Sequence, residues 1–359
     1  MKNQKNFLGI PQKFWQELRV LFILIIIAFT IKSTLIEIYI VPTGSMENTI
    51  MTGDMLIGNK FIYGMRTPTW IGIPYTRIGF DIPWTRFPKY KKVETGDVTI
   101  FEFPRDPFQK YVKRCIGTPG DEIEIKEGEI LINQSEFPFP VEAKYVDSRR
   151  IKPEKSGNVY SYFEGNRDNL NSFVVPYKGM EINFSEVENW TSTLALLAQD
   201  GNVVKVKNLE MTIIDPMEVG RTHGFIKYRL MALFRNKAKV ANVEYKERNS
   251  FIRNLKKENH DNEIYNPWEI RPPLESYPQE IVLKNLTING VPAMEMETYT
   301  LKHDYYFFMG DNRDDSYDSR FWGFTPDYQV LGTPLVAIIN VFSLFRLDFP
   351  NILRFENIN

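Results

Sequence analysis

The sequence predicts a mainly β fold that carries an inserted α+β or β region and is preceded by one N-terminal transmembrane helix. Three observations predict it. Short apolar and β-branched runs at 54–61, 98–103 and 111–116 are bounded by Gly, Pro and Asn turns, the pattern of strands. Residues 122–126, Glu-Ile-Glu-Ile-Lys, and 129–133, Glu-Ile-Leu-Ile-Asn, flank Glu127-Gly128, which reads as a hairpin. Ahead of them, residues 20–31 are apolar except for Thr30.

The elements follow in order. Residues 1–19 carry Lys2, Lys5, Lys13 and Arg19 against Glu17, a basic segment expected to stay in the cytoplasm. The anchor is expected over 20–36. Extended back to Phe14 it approaches the ~20 residues a span needs, with Arg19 and Lys32 snorkelling. A cleaved signal peptide fits the apolar length, but no small-x-small site follows, so an uncleaved single-pass anchor is preferred and the rest of the chain is placed outside the membrane. Residues 36–41 read as a strand. Residues 64–92 are rich in proline and aromatics, among them Trp70, Tyr75, Phe80, Trp84, Phe87 and Tyr90. The alternatives there are a partly packed loop and a surface resting on lipid headgroups; the second is preferred because indole and phenol rings favour that region.

Strands at 98–103 and 111–116 are expected to pair. The β domain is expected to run over 37–139 and to resume at 281–359, with 140–280 as an inserted accessory region. Within the insert, 174–179 has a strand-and-turn look and 190–199 reads as a short helix. Residues 226–257 are basic, either a solvated helical face or a contact with anionic lipid. Pro267, Pro272, Pro273 and Pro278 mark an exit linker. Residues 281–288 resume strand character before an Asn289-Gly290 turn. Residues 336–342 look like a closing strand, too short for a second span.

Composition narrows the function. A chain of 359 residues has room for a domain plus an insertion. Its formal net charge of −1 points to no nucleic-acid partner, and a mean hydropathy of −0.31 excludes a polytopic membrane protein. The single cysteine, Cys115, excludes an intramolecular disulfide and fits a small buried hydrophobe better than a nucleophile. His223, His260 and His303 have no metal-ligand spacing, so neither metal nor cofactor is expected and a histidine triad has little support. Eighteen tyrosines and 26 phenylalanines suit contact with a membrane surface.

Three stretches could carry chemistry. Val41-Pro-Thr-Gly-Ser-Met46 contains Pro42 and Gly44, which bend the chain and can lift the Ser45 hydroxyl clear of the backbone. Alone, it reads as an ordinary turn. Tyr111-Val-Lys-Arg-Cys-Ile-Gly-Thr-Pro-Gly-Asp121 is a strand running into a turn. It places Tyr111, Lys113 and Cys115 on one face. A lysine pointing inward there must be neutralised or paired. The third is residues 307–323, where aromatic blocks enclose Gly310-Asp-Asn-Arg313 and Ser316-Tyr-Asp-Ser-Arg320.

Together these stretches resemble the type I signal peptidases, membrane-bound Ser-Lys endoproteases. The resemblance rests on Pro-Thr-Gly-Ser-Met with Thr49-Ile50 and Gly53-Asp54, on Gly96-Asp97-Val98, on 111–121 and on 310–323. It covers roughly 14–135 and 281–345. It implies a signal-peptidase-like β fold with Ser45 as nucleophile and Lys113 as general base. It further implies Thr43 as an oxyanion donor and Ser316 orienting the lysine amine. A buried lysine can lose ~3–5 units of pKa, which is what a lysine base needs. Tyr39, Val41, Met46, Ile50, Tyr111 and Val112 are implied as substrate-binding residues, and Asp311, Arg313, Asp318 and Arg320 as a supporting charge network. Asn48 departs from the proline common at its place. The implied substrates are the signal peptides of exported preproteins, with membrane lipid and the protein-export machinery as further partners. A self-cleaving Ser-Lys protease of the same fold and an inactive membrane-tethered binding module are the alternatives. The first lacks a preceding helix-turn-helix, and the second is disfavoured by Ser45, Lys113 and Ser316 occurring together.

Overall fold

The computed structural model describes residues 12–72, 79–206, 276–346 and 351–358, with short pieces at 212–213, 262–264, 270–271 and Asp348. The first element is helix α1, Gln12–Thr34. It begins eight residues before the expected anchor, and its first two turns carry Lys13, Glu17 and Arg19. Val20, Phe22, Leu24 and Ile25 are exposed along it. Among the described residues no helix is long and apolar enough to cross a membrane, so the fold does not establish the anchor expected over 20–36.

The helix hands over directly to strand β1, Ile36–Ile40, which pairs with β2, Asp54–Asn59. Strands β3, Val98–Phe103, and β4, Asp106–Gly117, form the next pair. The hairpin of β5, Glu122–Lys126, and β6, Glu129–Ile132, turns at Glu127 (φ 49°) and Gly128 (φ 88°). Two positive φ values in succession define the tight turn that matches strand twist. Strand β7, Asn169–Val174, comes from the expected insert and pairs with β5. Helix α2, Trp190–Gln199, is capped by the Asn189 side chain, which accepts from the Ser192 N–H. Strands β8, Tyr305–Met309, β9, Val330–Asn340, and β10, Leu353–Asn357, complete the sheets.

The main sheet runs β1-β2-β9-β3-β4-β8 and then Thr325–Pro326, with β10 also on β9. The second sheet centres on β7-β5-β6. One apolar core joins Ile116, Ile123, Leu170, Phe173, Leu194, Leu197, Val204, Tyr305 and Phe307, so residues 160–206 share a core with the flanking strands.

Three differences from the sequence reading have physical reasons. Residues 279–285 are helical, not extended, and only Leu286–Ile288 forms a strand. Pro278 precedes the helix, Glu280 lies in its first turn and Lys284 in its last, charges that suit the helix dipole. Val282 is buried while its neighbour Ile281 is exposed. The closing strand starts six residues early, at Val330, and gives way to a short helix over Val341–Arg346. The pairing partner of β3 is the twelve-residue β4, longer than expected.

Cys115 is fully buried, and burial pushes its thiol well up. In the aromatic stretch, Phe80, Trp84, Phe87 and Tyr90 are exposed, while Trp70 packs edge-on against Phe108. The basic run at 226–257, Pro267, Pro272 and Pro273 lie outside the described residues.

Candidate active site

Ser45 sits in the turn from β1 to β2, and Asp54 fixes that turn. Its buried carboxylate accepts from the Met51 N–H (2.8 Å) and from Asn340 Nδ2 of β9 (2.9 Å). The turn closes through Gly53 N–H to Val41 O (2.7 Å) and Val41 N–H to Asp54 O (2.9 Å). Gly53 has φ 94°, a conformation open to glycine.

Lys113 lies on β4 with its side chain 4% exposed. Its Nζ is 2.6 Å from Ser45 Oγ and 3.1 Å from Val112 O. Burial lowers its pKa from 10.5 to about 8, against the opposing pull of the Asp318 and Asp311 charges. An amine with that pKa is neutral in a useful fraction of molecules near pH 8, and only the neutral form can take a hydroxyl proton.

The loop after β8 closes the site from the other side. Gly310 is pinched between the Ser45 carbonyl and Ser316. A Cβ added there would lie 2.5 Å from Ser45 O and 2.6 Å from Ser316 Cβ, and closer still to Ser316 Oγ. Asn312 donates its N–H to Ser45 O (3.1 Å) and its Nδ2 to Gly44 O (3.1 Å). Asp318 is fully buried and caps the short helix Ser319–Trp322. Burial pushes its carboxyl up, but the Arg320 guanidinium, 2.8 Å away, overrides this and holds it low.

Asp311 pairs with Arg114, the residue after Lys113, through Nε (2.9 Å) and Nη2 (2.8 Å), and it also accepts from the Thr49 hydroxyl. Arg313, by contrast, is buried with Nε and Nη2 unpartnered, and burial lowers its pKa. Of the four residues expected to form a supporting charge network, Asp318 pairs with Arg320, while Asp311 takes Arg114 as its partner.

Ser316 Oγ lies near enough to Asp318 to favour its ionised form, yet it makes no bond of hydrogen-bond geometry. The expected contact from Ser316 to the Lys113 amine is thus not made. Thr43 is exposed, two residues before Ser45. Val41, Met46 and Ile50 belong to one apolar cluster with Leu56, Val98, Ala337 and Ile358, and Tyr39 and Val112 pack against it. Tyr111 instead stacks on Phe103 at 4.6 Å in the neighbouring cluster, with its ring 5.4 Å from Lys113 Nζ. Among the described residues no group of His, Cys, Asp or Glu could hold a metal.

A serine hydroxyl against a buried amine, walled by apolar side chains, is an arrangement suited to acyl transfer. The family of signal peptidases, peptidase S26, matches residues 14–191 and 226–339, and the chain belongs to that family of peptidase hydrolases. It is 26% identical over 319 residues to signal peptidase I of Buchnera aphidicola subsp. Acyrthosiphon pisum, covering 89% of this chain and 73% of that protein. It is 32% identical over 137 residues to signal peptidase I of Rickettsia bellii strain OSU 85-389, covering 38% of this chain and 46% of that one. A crystal structure of a signal peptidase I from Enterococcus faecalis V583 covers 68% of this chain and 97% of its own at 15% identity. Its TM-score is 0.22, too low to carry an argument.

Sequence reasoning missed the Asp311–Arg114 pair and the hold of Asn312 on the nucleophile turn. Gly310 and Arg114 stood inside the motifs, but nothing in their spacing showed what they touch.

Proposed function

We propose that this chain is a membrane-bound serine endopeptidase that removes amino-terminal signal peptides from exported preproteins. The observation that carries the mechanism is the 2.6 Å approach of the buried Lys113 Nζ to Ser45 Oγ, in a chain of the signal peptidase family.

In the reaction, Ser45 Oγ attacks the scissile carbonyl carbon while its proton passes to neutral Lys113 Nζ. The oxyanion is met by the Ser45 N–H and the Thr43 hydroxyl. Collapse breaks the C–N bond, and the Lys113 proton leaves with the new amine. Water, deprotonated by the same lysine, then hydrolyses the Ser45 ester. The Val112 carbonyl holds the lysine amine beside the serine, and Gly310 lets the 310–316 loop close on the Ser45 carbonyl. The charge network of Asp311, Asp318 and Arg320 supports the loop behind it, together with Arg313.

The substrate lies extended beside β1 and β4, so its backbone bonds are independent of sequence and selectivity comes from alternate side chains. In this reading Val41, Met46 and Ile50, a close-packed apolar cluster, wall the pockets one and three before the cut and admit small side chains only. On the same reading the apolar run over 20–36, which no described helix establishes as a span, tethers the chain to the cell membrane with its basic end in the cytoplasm, and the exposed Phe80, Trp84 and Phe87 rest on the outer lipid surface.

The test is incubation of detergent-solubilised protein with a preprotein, followed by amino-terminal sequencing of the product. Cleavage at the mature amino terminus, abolished by Ser45→Ala and equally by Lys113→Arg, is expected. Arginine cannot act as a base, so robust cleavage by Lys113→Arg would exclude the Ser-Lys mechanism.

A further inference from the structure

Residues 142–150 run as an irregular strap over both loops of the site. At the nucleophile turn, Asn48 has φ 82°. Proline is locked near −65° and cannot adopt this, whereas asparagine tolerates it. The departure from the family's proline therefore matches this chain's backbone. The Asn48 side chain donates to Glu142 O (3.1 Å), and the adjacent Glu47 accepts from Lys144 Nζ (2.8 Å).

The strap then joins the second loop. Lys144 N–H donates to Asp311 O (2.8 Å), and Arg313 N–H donates back to Lys144 O (2.9 Å). Asp314 fastens the far end. Its carboxylate accepts from the Val146 N–H (2.7 Å), the Asp147 N–H (2.8 Å), Arg150 Nη1 (3.3 Å) and Arg167 Nη2 (3.3 Å). The loop so held carries Asn312, bonded to Ser45 O, and Asp311, bonded to Arg114.

We propose that residues 142–150 are a clamp, fastened at Asp314 and Asn48, that sets the spacing between the Ser45 turn and the 310–316 loop and so positions the Ser45–Lys113 pair. Asp314 and Asn48 are positioning residues: neither touches the reacting atoms. The proposal rests on the Ser-Lys reading above. Lys113 faces the Asp311 and Asp318 carboxylates from this loop, each already paired with an arginine, together with the Ser45 hydroxyl and the Tyr111 ring. When the loop lifts, water reaches the amine, its charged form is favoured, and the serine loses its aligned base.

The test is the pH dependence of kcat and kcat/KM for a short peptide, from about pH 6 to about pH 10, with the full detergent-solubilised chain. Asp314→Asn should lower kcat by about 10–100-fold, the scale of a misplacement near 1 Å, with KM within about 2-fold. Its acidic limb, which reports the free enzyme's base, should move up by about one unit. Asn48→Ala should move both quantities in the same direction by less. A purely structural defect would scale activity with the folded fraction and leave the midpoint alone. If Asp314→Asn does not fold, Asn48→Ala decides by the same criterion, since its side chain is exposed. Loss of activity in Lys113→Arg with an unmoved midpoint in the clamp variants would overturn the clamp alone. Retained activity in Lys113→Arg would overturn the Ser-Lys reading, and the clamp with it.

Discussion

Replacing Lys113 by methionine should make the protein more stable near neutrality while abolishing cleavage. Burial lowers the lysine from 10.5 to about 8. That is a gap of about 2.5, worth about 3–4 kcal/mol at ~1.4 kcal/mol for each factor of ten. The sign follows from proton counts. Between pH 8 and pH 10.5 the unfolded chain still holds the lysine proton and the folded chain has lost it, so folding becomes more favourable as pH rises. The penalty is therefore complete below pH 8, shrinks through that window and vanishes above it. Methionine is unbranched and apolar and has no such penalty. Lys113→Met should exceed the wild type by up to about 3–4 kcal/mol at pH 7, with the gap closing by about pH 10. Urea unfolding followed by tryptophan fluorescence, in one detergent at several pH values, measures both curves. Taking the difference between them removes every other titrating group. A gap that stays constant from neutral to alkaline pH would refute the argument that Lys113 is held neutral by burial.

Three further outcomes are expected. Gly310→Ala forces a Cβ between Ser45 O and Ser316. Stability should fall by about 1–3 kcal/mol and kcat by about 10²-fold, read by thermal melting and peptide cleavage. Thr43→Val should lower kcat about 10²-fold with little change in KM, the scale of one oxyanion donor. In a peptide series varying the residue before the cut, kcat/KM should rank alanine first, serine close behind, and valine and phenylalanine near background, because overfilling a close-packed wall is costly; phenylalanine cut as well as alanine would show that the cluster around Met46 does not form the pocket.

The elements that obey a simple period were legible. The apolar, β-branched run at 98–103 and the alternation over 122–126 mark strands, and Glu127-Gly128 marks the hairpin turn. The helix at 190–199 announces itself through Asn189 as cap and an apolar face. Residues 281–288 misled because Ile, Val and Leu in succession suit a strand as well as a helix, and the deciding signals were the proline before them and the end charges. At the site, the approach of Lys113 to Ser45 was legible because the surrounding motif is specific. Other partners set by tertiary approach were not: Asp311 is nearer in sequence to Arg313, yet the sheet register brings Arg114 of β4 against it across 197 positions. The left-handed turn at Asn48 was flagged only as a departure, because φ is invisible until the chain is folded.

The sheet order β1-β2-β9-β3-β4-β8 bears on when the protein can first cut anything. Ser45 belongs to the β1–β2 half and Lys113 to the β3–β4 half, and within this sheet only β9, residues 330–340, is bonded to both. A ribosome therefore delivers Ser45 early and Lys113 soon after, but the strand that brings the halves together comes more than two hundred residues later. A chain that stops short of β9 carries Ser45 and Lys113 without the strand that joins their halves of the sheet. The approach of Lys113 to Ser45 is thus a late event in synthesis, waiting on the strand that joins the two halves of the sheet.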